Sequence, residues 1–198
     1  MDESVRAAMT KWPNVPHCYG WLALDARGNW RMRDERAQAL GMMGDLIHNV
    51  ALRDFICRNY SCDEQGNWYF QNGPQKVYID LAATPYIAHQ LPDRTWNLHT
   101  GIPMPTPTTA YLLDDGNVAF SAPDYLCQVD DRDLVHALDT LIHNGTPISE
   151  ANLTLFLEDK LTIGNDVRIR FGDLQVAVER CSLSALLSLK NYRAQARP

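Results

Sequence analysis

One stretch, Asp63–Pro85 (DEQGNWYFQNGPQKVYIDLAATP), limits what this chain can fold into more than any other. Trp68, Tyr69 and Phe70 are strong strand formers, entered through Gly66-Asn67. Asn72-Gly73-Pro74 then turns the chain, because glycine accepts a positive φ and proline fixes its own. Beyond the turn, Val77, Ile79 and Leu81 alternate with Lys76, Tyr78 and Asp80. That period of two predicts a strand with one buried face and one wetter face. Burying each large apolar side chain contributes roughly 1.5–3 kcal/mol, so a charge at Val77 or Ile79 should be severe. Thr84-Pro85 ends the strand, since proline cannot donate to a ladder.

The same design recurs. Leu52, Phe55, Ile56 and Tyr60 at helical spacing lead to Gly66, then Trp68-Tyr69-Phe70, then Val77 and Ile79. Later, Leu153, Phe156, Leu157 and Leu161 lead to Gly164, then Val167–Phe171, then Val176 and Val178. Trp68 to Val77 and Val167 to Val176 are equal steps. Upstream, Asp25–Trp30 (DARGNW) is echoed by Asp114–Val118 (DDGNV). The pattern predicts a two-fold internal pseudo-repeat of hairpin, helix, hairpin; chance likeness of short hairpins is the alternative. Two copies are too few for a solenoid.

The rest of the chain fits an α+β fold of antiparallel β-hairpins with interspersed helices. Residues 1–11 read as a polar, helix-permissive N-terminal extension, with Met9 as an alternative start. Trp12 is expected to anchor the irregular arm Trp12–Pro16. Gly20–Met32 reads as a hairpin and 33–47 as mixed, with a loop at Gly41 and Gly44. Residues 12–100 form a first half, and 110–198 a second. Between them, Pro103, Pro105 and Pro107 stiffen a connector over 101–109. In the second half, Tyr111–Phe120 reads as a hairpin and Tyr125–Val129 as a strand. Asp130 reads as the N-cap of a helix carrying Leu134, Leu138, Leu141 and Ile142. Ser149-Glu150 starts another helix, and Ser182 caps a last one before a frayed polar tail from Arg193.

Composition excludes some functions. The chain has 198 residues, enough for one good core or two small ones. Its net charge of −6 argues against broad binding of nucleic acid or anionic membranes. Five scattered cysteines, no N-terminal apolar leader and no membrane-length apolar run point to a reduced cytoplasmic location.

No familiar catalytic string is present. His17-Cys18 with Cys57 and Cys62 are proper zinc ligand types, but the spacing is not that of a knuckle, and no metal or cofactor is expected. A nucleophilic pair would draw on Cys18, Cys62 or Cys127 with His48, His89 or His99, against buried, inert cysteine as the alternative. The acidic pairs Asp63-Glu64, Asp114-Asp115 and Asp130-Asp131 sit where turns and caps want acids. Tyr69 and Tyr78, read as outward-facing beside Gln71, Asn72, Gln75 and Lys76, are the candidate recognition surface. The alternative is a solvated strand face stiffened by cross-strand pairs.

The runs KWPNVPHCYGWLALDARGNWRMR and DEQGNWYFQNGPQKVYIDLAATPYI resemble a proteobacterial protein family of unknown function, closely over about residues 10–90 and loosely beyond. The helix and GNWYFQNGPQKVYI segment is similar to a more distant uncharacterised bacterial family, departing from it most at Pro103–Pro107. The resemblance implies an α+β fold with repeated hairpin-and-helix motifs and a signalling or ligand-sensing role. It defines no catalytic residue.

The expected function is a cytoplasmic binding or regulatory module for a protein or a small-molecule ligand, working through Tyr69, Gln71, Gln75, Lys76 and Tyr78. The rival is a small hydrolase or transferase with a His/Cys/Asp site on loops around Pro85–Thr109. A homodimer that covers hairpin edges is a third reading.

Overall fold

The computed structural model describes residues 1–158 and 167–197. Leu161 and Gly164, members of the second repeat pattern, lie outside the described residues. The chain divides into two units. The first holds Met1–Pro85, His99–Gly101 and Leu187–Pro198, and the second holds Tyr86–Leu98 and Ile102–Leu186. This division differs from the expected halves on either side of 101–109. Chain from the middle and the end returns to the first unit, which no local composition shift reveals.

In chain order the first unit begins with helix α1 (Glu3–Lys11), strands β1 (Cys18–Leu24) and β2 (Trp30–Met32), helix α2 (Glu35–Ala39) and strand β3 (Asp45–Leu46). Helix α3 (Val50–Arg58) and strands β4 (Tyr60–Cys62), β5 (Trp68–Asn72) and β6 (Gln75–Leu81) follow. The second unit contains β7 (Tyr86–Gln90), β8 (Trp96–Leu98), β9 (Thr109–Leu113), β10 (Val118–Ala122) and β11 (Tyr125–Val129). It continues through α4 (Leu134–Leu138), β12 (Leu141–His143), β13 (Thr146–Pro147), α5 (Glu150–Leu157), β14 (Val167–Phe171) and β15 (Leu174–Cys181). Helix α6 (Leu183–Leu189) leads into the tail. Among the described residues no helix is long and apolar enough to cross a membrane.

The first sheet runs β3-β2-β1-β6-β5-β4. Within the second sheet, β11-β10-β9-β15-β14-β12 repeats that order, extended by β7-β8 at one edge and β13 at the other. In both, the two central strands are parallel, β1 with β6 and β9 with β15, and the flanking pairs are antiparallel. The equal steps from Trp68 to Val77 and from Val167 to Val176 become equal register, Phe70 opposite Val77 and Ile169 opposite Val176. The parallel pairs are a correction to a purely antiparallel expectation. A parallel partner comes from a distant segment, so no hairpin pattern announces it.

The turns repeat too. Asp25 N donates to Asn29 O, Asp63 N to Asn67 O and Leu113 N to Asn117 O, each closed by a glycine N–H returning to the first residue. Leu91 and Thr95 make the same turn, but Arg94 holds the left-handed position at φ 67° that Gly28, Gly66 and Gly116 hold elsewhere. This is the hairpin loop in which a type I turn is followed by one left-handed residue.

Several local expectations change. Trp12 is 51% exposed, not the buried anchor expected, with Lys11 Nζ 4.6 Å from its ring. The mixed stretch 33–47 contains α2, whose Asp34 cap accepts from Ala37 N, and β3. Asp130 caps no helix. Leu141 and Ile142, apolar on either reading, pair with β14 as β12 instead of extending α4. Ser149 and Ser182 do accept from helix N–H groups, at Asn152 and Ala185. The tail after α6 is tied down: Arg193 N donates to Gly66 O and Leu81 N to Ala194 O.

Candidate functional site

The predicted recognition residues are brought together, but not at the surface. Tyr69 pairs with Tyr78, and Gln71 with Lys76, across β5 and β6. Tyr69, Tyr78 and Gln71 are nevertheless buried. Tyr19 stacks on Tyr78 at 4.7 Å, and Ala196 of the tail packs on both tyrosines. The Tyr78 hydroxyl donates to Asp63 Oδ2 at 3.1 Å; burial and that carboxylate push its pKa up. Gln71 Nε2 donates to Gly73 O and Gln75 Nε2 to Pro16 O. Lys76 lies over the Tyr69 ring at 4.5 Å. The wetter face that period two assigned to Tyr78 and Asp80 is therefore covered. The alternation of β6 is real, yet both of its faces are occupied.

The cysteine candidates do not make a nucleophile. All five are free thiols. Burial pushes each thiol up: Cys62 to about 11, with Cys18, Cys57, Cys127 and Cys181 moved in the same direction. A raised pKa leaves little thiolate near neutrality. Among the described residues no group of three or more His, Cys, Asp or Glu is placed to hold a metal ion. Asp63 and Asp115 accept from turn N–H groups, as turn residues do.

Asp130 is different. It follows β11, which runs parallel to β7 with Val129 opposite Ala88, so Asp130 and His89 emerge side by side where the pairing ends. Buried residues fill β11, Gln128 being the polar one among them, and Asp130, fully buried, is the first charge after them. Its carboxylate accepts from Arg132 Nε at 2.9 Å, from Arg132 Nη2, and from the Arg132 backbone N–H at 2.9 Å. His89 Nδ1 lies 3.1 Å from Asp130 Oδ2 and 3.9 Å from Asp133 Oδ2. Burial pushes the Asp130 carboxyl up, but the Arg132 bonds outweigh it and hold the pKa at about 2. Asp130 thus stays ionised and orients the ring. With Nδ1–H toward the carboxylate, Nε2 is the ring nitrogen turned to other partners.

Next to this cluster lies a cleft of about 570 Å³ lined by Gln90, Leu91, Pro92, Arg94, Asp133, His136, Asp139 and Thr140. Asp133 Oδ2 accepts from Gln90 N at 3.0 Å, which fixes the β7 end against the start of α4. Arg94 reaches the cleft from the turn position that costs a non-glycine residue strain, of order 1–3 kcal/mol. His136, Arg94, Asp133 and Asp139 place imidazole, guanidinium and carboxylate groups around one cleft, which can bind a polar ligand and can move a proton. Sequence reasoning placed His89 among three equivalent histidines and missed its partner. The available signal was a mostly apolar strand, Tyr125–Val129, ending directly on an aspartate, but that signal reads equally as a cap.

Fold and cleft together define a two-sheet α+β protein with a histidine–aspartate pair beside a polar cleft. The chain belongs to the DUF2944 family, described as "Protein of unknown function (DUF2946)", which it matches over residues 1–186. No curated protein matches it. It is similar to the crystal structure of a DUF1285 family protein from Silicibacter pomeroyi DSS-3, with 12% identity and a TM-score of 0.48, covering 94% of this chain and 98% of that one. A DUF1285 family protein from Shewanella baltica OS155 is similar at 10% identity and a TM-score of 0.40, covering 59% of this chain and 88% of that one.

Proposed function

We propose that the protein is a cytoplasmic binding or regulatory module of a signalling type, and that the cleft beside His89 seats its small polar ligand. The observation that carries the reading is the ionised, fully buried Asp130, which fixes His89 beside Gln90 and Asp133, two residues that line that cleft. Preorganised donors bind with little ordering cost. The net charge of −6 favours a small molecule or protein over nucleic acid or membrane. Pairing of sheet edges between two copies is compatible with this role.

The test is thermal unfolding against nucleotides, organic acids, amines and sugars. A ligand at a hundredfold excess over its Kd adds about 2.7 kcal/mol of stability. The shift should vanish in His89→Gln and in His136→Gln. A ligand that stabilises both variants as well as the native chain sinks the assignment.

A second reading, a small hydrolase or transferase, is favoured by one specific feature. A ring held by a buried carboxylate at 3.1 Å is the arrangement of a general base and its orienting group. Turnover of ester or phosphoester substrates that disappears in His89→Gln selects this reading over simple binding.

A further inference from the structure

We propose that the first unit carries a separate site for a small zwitterion of the free α-amino-acid kind. It is a cavity of about 280 Å³ against the turn after β1, the middle and end of α3 and the segment His99–Gly101. It shares no residue with the cleft beside His89.

The volume falls just below the roughly 300–1,000 Å³ typical of sites for drug-sized ligands, so its occupant is small. Trp30 supplies an aromatic wall, its Nε1 directed at Cys57 Sγ 3.3 Å away. The His99 ring stands edge-on to Trp30 with centroids 5.3 Å apart. Burial pushes the Cys57 thiol up, so it stays neutral and the charge in the cavity comes from Arg53 and Asp54.

Those two charges define the ligand. Arg53 and Asp54 are consecutive on α3 and both line the cavity, and neither has a side-chain partner among the described residues. Neighbours on a helix point about 100° apart, which lets them present opposite charges without neutralising each other. A third group points the same way. Thr100 lines the cavity, and its Oγ1 is buried with no hydrogen-bond partner among the described residues. Buried hydroxyls are normally satisfied, so a small shift that turns this one toward a polar ligand in the cavity gains a hydrogen bond.

A carboxylate fits the planar fork of Arg53, and an ammonium fits the Asp54 carboxylate. A simple anion would be repelled by Asp54 and a simple cation by Arg53. Only a molecule carrying both charges close together uses both groups, so the pair also rejects the wrong ligands. The side chain of such a molecule would lie against the Trp30 and His99 rings.

The experiment is calorimetric titration of the full chain with each free L-amino acid, then with the N-acetyl and carboxamide derivatives of the best binder. At least one free amino acid should saturate. Loss of either charge should weaken it about 10- to 100-fold, the size of a lost charged hydrogen bond. Arg53→Gln should abolish the penalty for the carboxamide, and Asp54→Asn the penalty for the N-acetyl form. His89→Gln should change nothing, which separates this site from the cleft. The proposal is overturned if no free amino acid saturates by roughly 10 mM, the limit of weak specific binding. It is equally overturned if the derivatives bind as well as the parent, or if circular dichroism shows both variants folded and their preferences unchanged.

Discussion

The backbone oxygen of Asn191 stands 1.7 Å from the point a Cβ on Gly66 would occupy. Gly66 ends the turn before β5, and the tail crosses directly over it. Gly116 occupies the same place in the repeated turn before β10, at nearly the same φ (84° against 82°), with nothing within 4 Å of its Cβ position. Gly116→Ala should therefore cost only the left-handed backbone strain, roughly 1 kcal/mol. Gly66→Ala should cost at least about 2 kcal/mol more, because the tail must also move. Urea unfolding of the two variants makes the comparison, and equal losses would falsify the docked tail.

The tyrosine pair gives the second prediction. Tyr78 is 6% exposed, sandwiched by Tyr19, Tyr69 and Ala196. Tyr78→Ala should lower stability by about 3–5 kcal/mol, as truncating a buried aromatic does. Tyr78→Phe keeps the ring and loses only the bond to Asp63, so about 1 kcal/mol is expected. Were both variants as stable as the native protein, Tyr78 would have to be a surface residue after all.

How far the sequence revealed this follows from what each signal measures. The hairpins were legible because turn chemistry and alternation are local: DARGNW, GNWYFQNGPQ and DDGNV each fold nearly as written. The equal spacing of Trp68–Val77 and Val167–Val176 even anticipated the repeated register. What covers a strand is not local. Period two in β6 marks two faces but cannot say that the tail will bury the second, so Tyr69 and Tyr78 were read as exposed. His89 and Asp130 meet through a parallel pairing of segments some forty residues apart, a juxtaposition that only the sheet topology creates.

Cysteine reactivity is a third test. Burial, with the Asp63 charge adding to it, pushes the Cys62 thiol up to about 11 from 9.0, which lowers its thiolate fraction about a hundredfold at neutral pH. Cys127 is fully buried, beyond the reach of a reagent in the folded chain. Iodoacetamide at neutral pH should therefore label every cysteine of the folded chain more slowly than free glutathione, with the difference erased in urea. Mass spectrometry finding one cysteine that reacts faster than glutathione would revive the cysteine nucleophile that the structure argues against.

Acid stability isolates the cleft's anchor. Asp130 has a folded pKa of about 2, below the roughly 3.9 of an unfolded aspartate. Between those values the unfolded chain binds more protons than the folded one, so stability rises with pH across that window. The contribution is fully present above about pH 4 and is lost as the pH falls through about 2. Asp130→Asn removes it: the variant should be about 1–3 kcal/mol less stable at neutral pH, since Arg132 and His89 lose a charged acceptor. Its loss between pH 4 and 2 should also be shallower than that of the native chain. Denaturant unfolding at a series of pH values reads both effects. Parallel pH profiles for the two proteins would mean that Asp130 is not held ionised, and the fixed orientation of His89 would lose its physical basis.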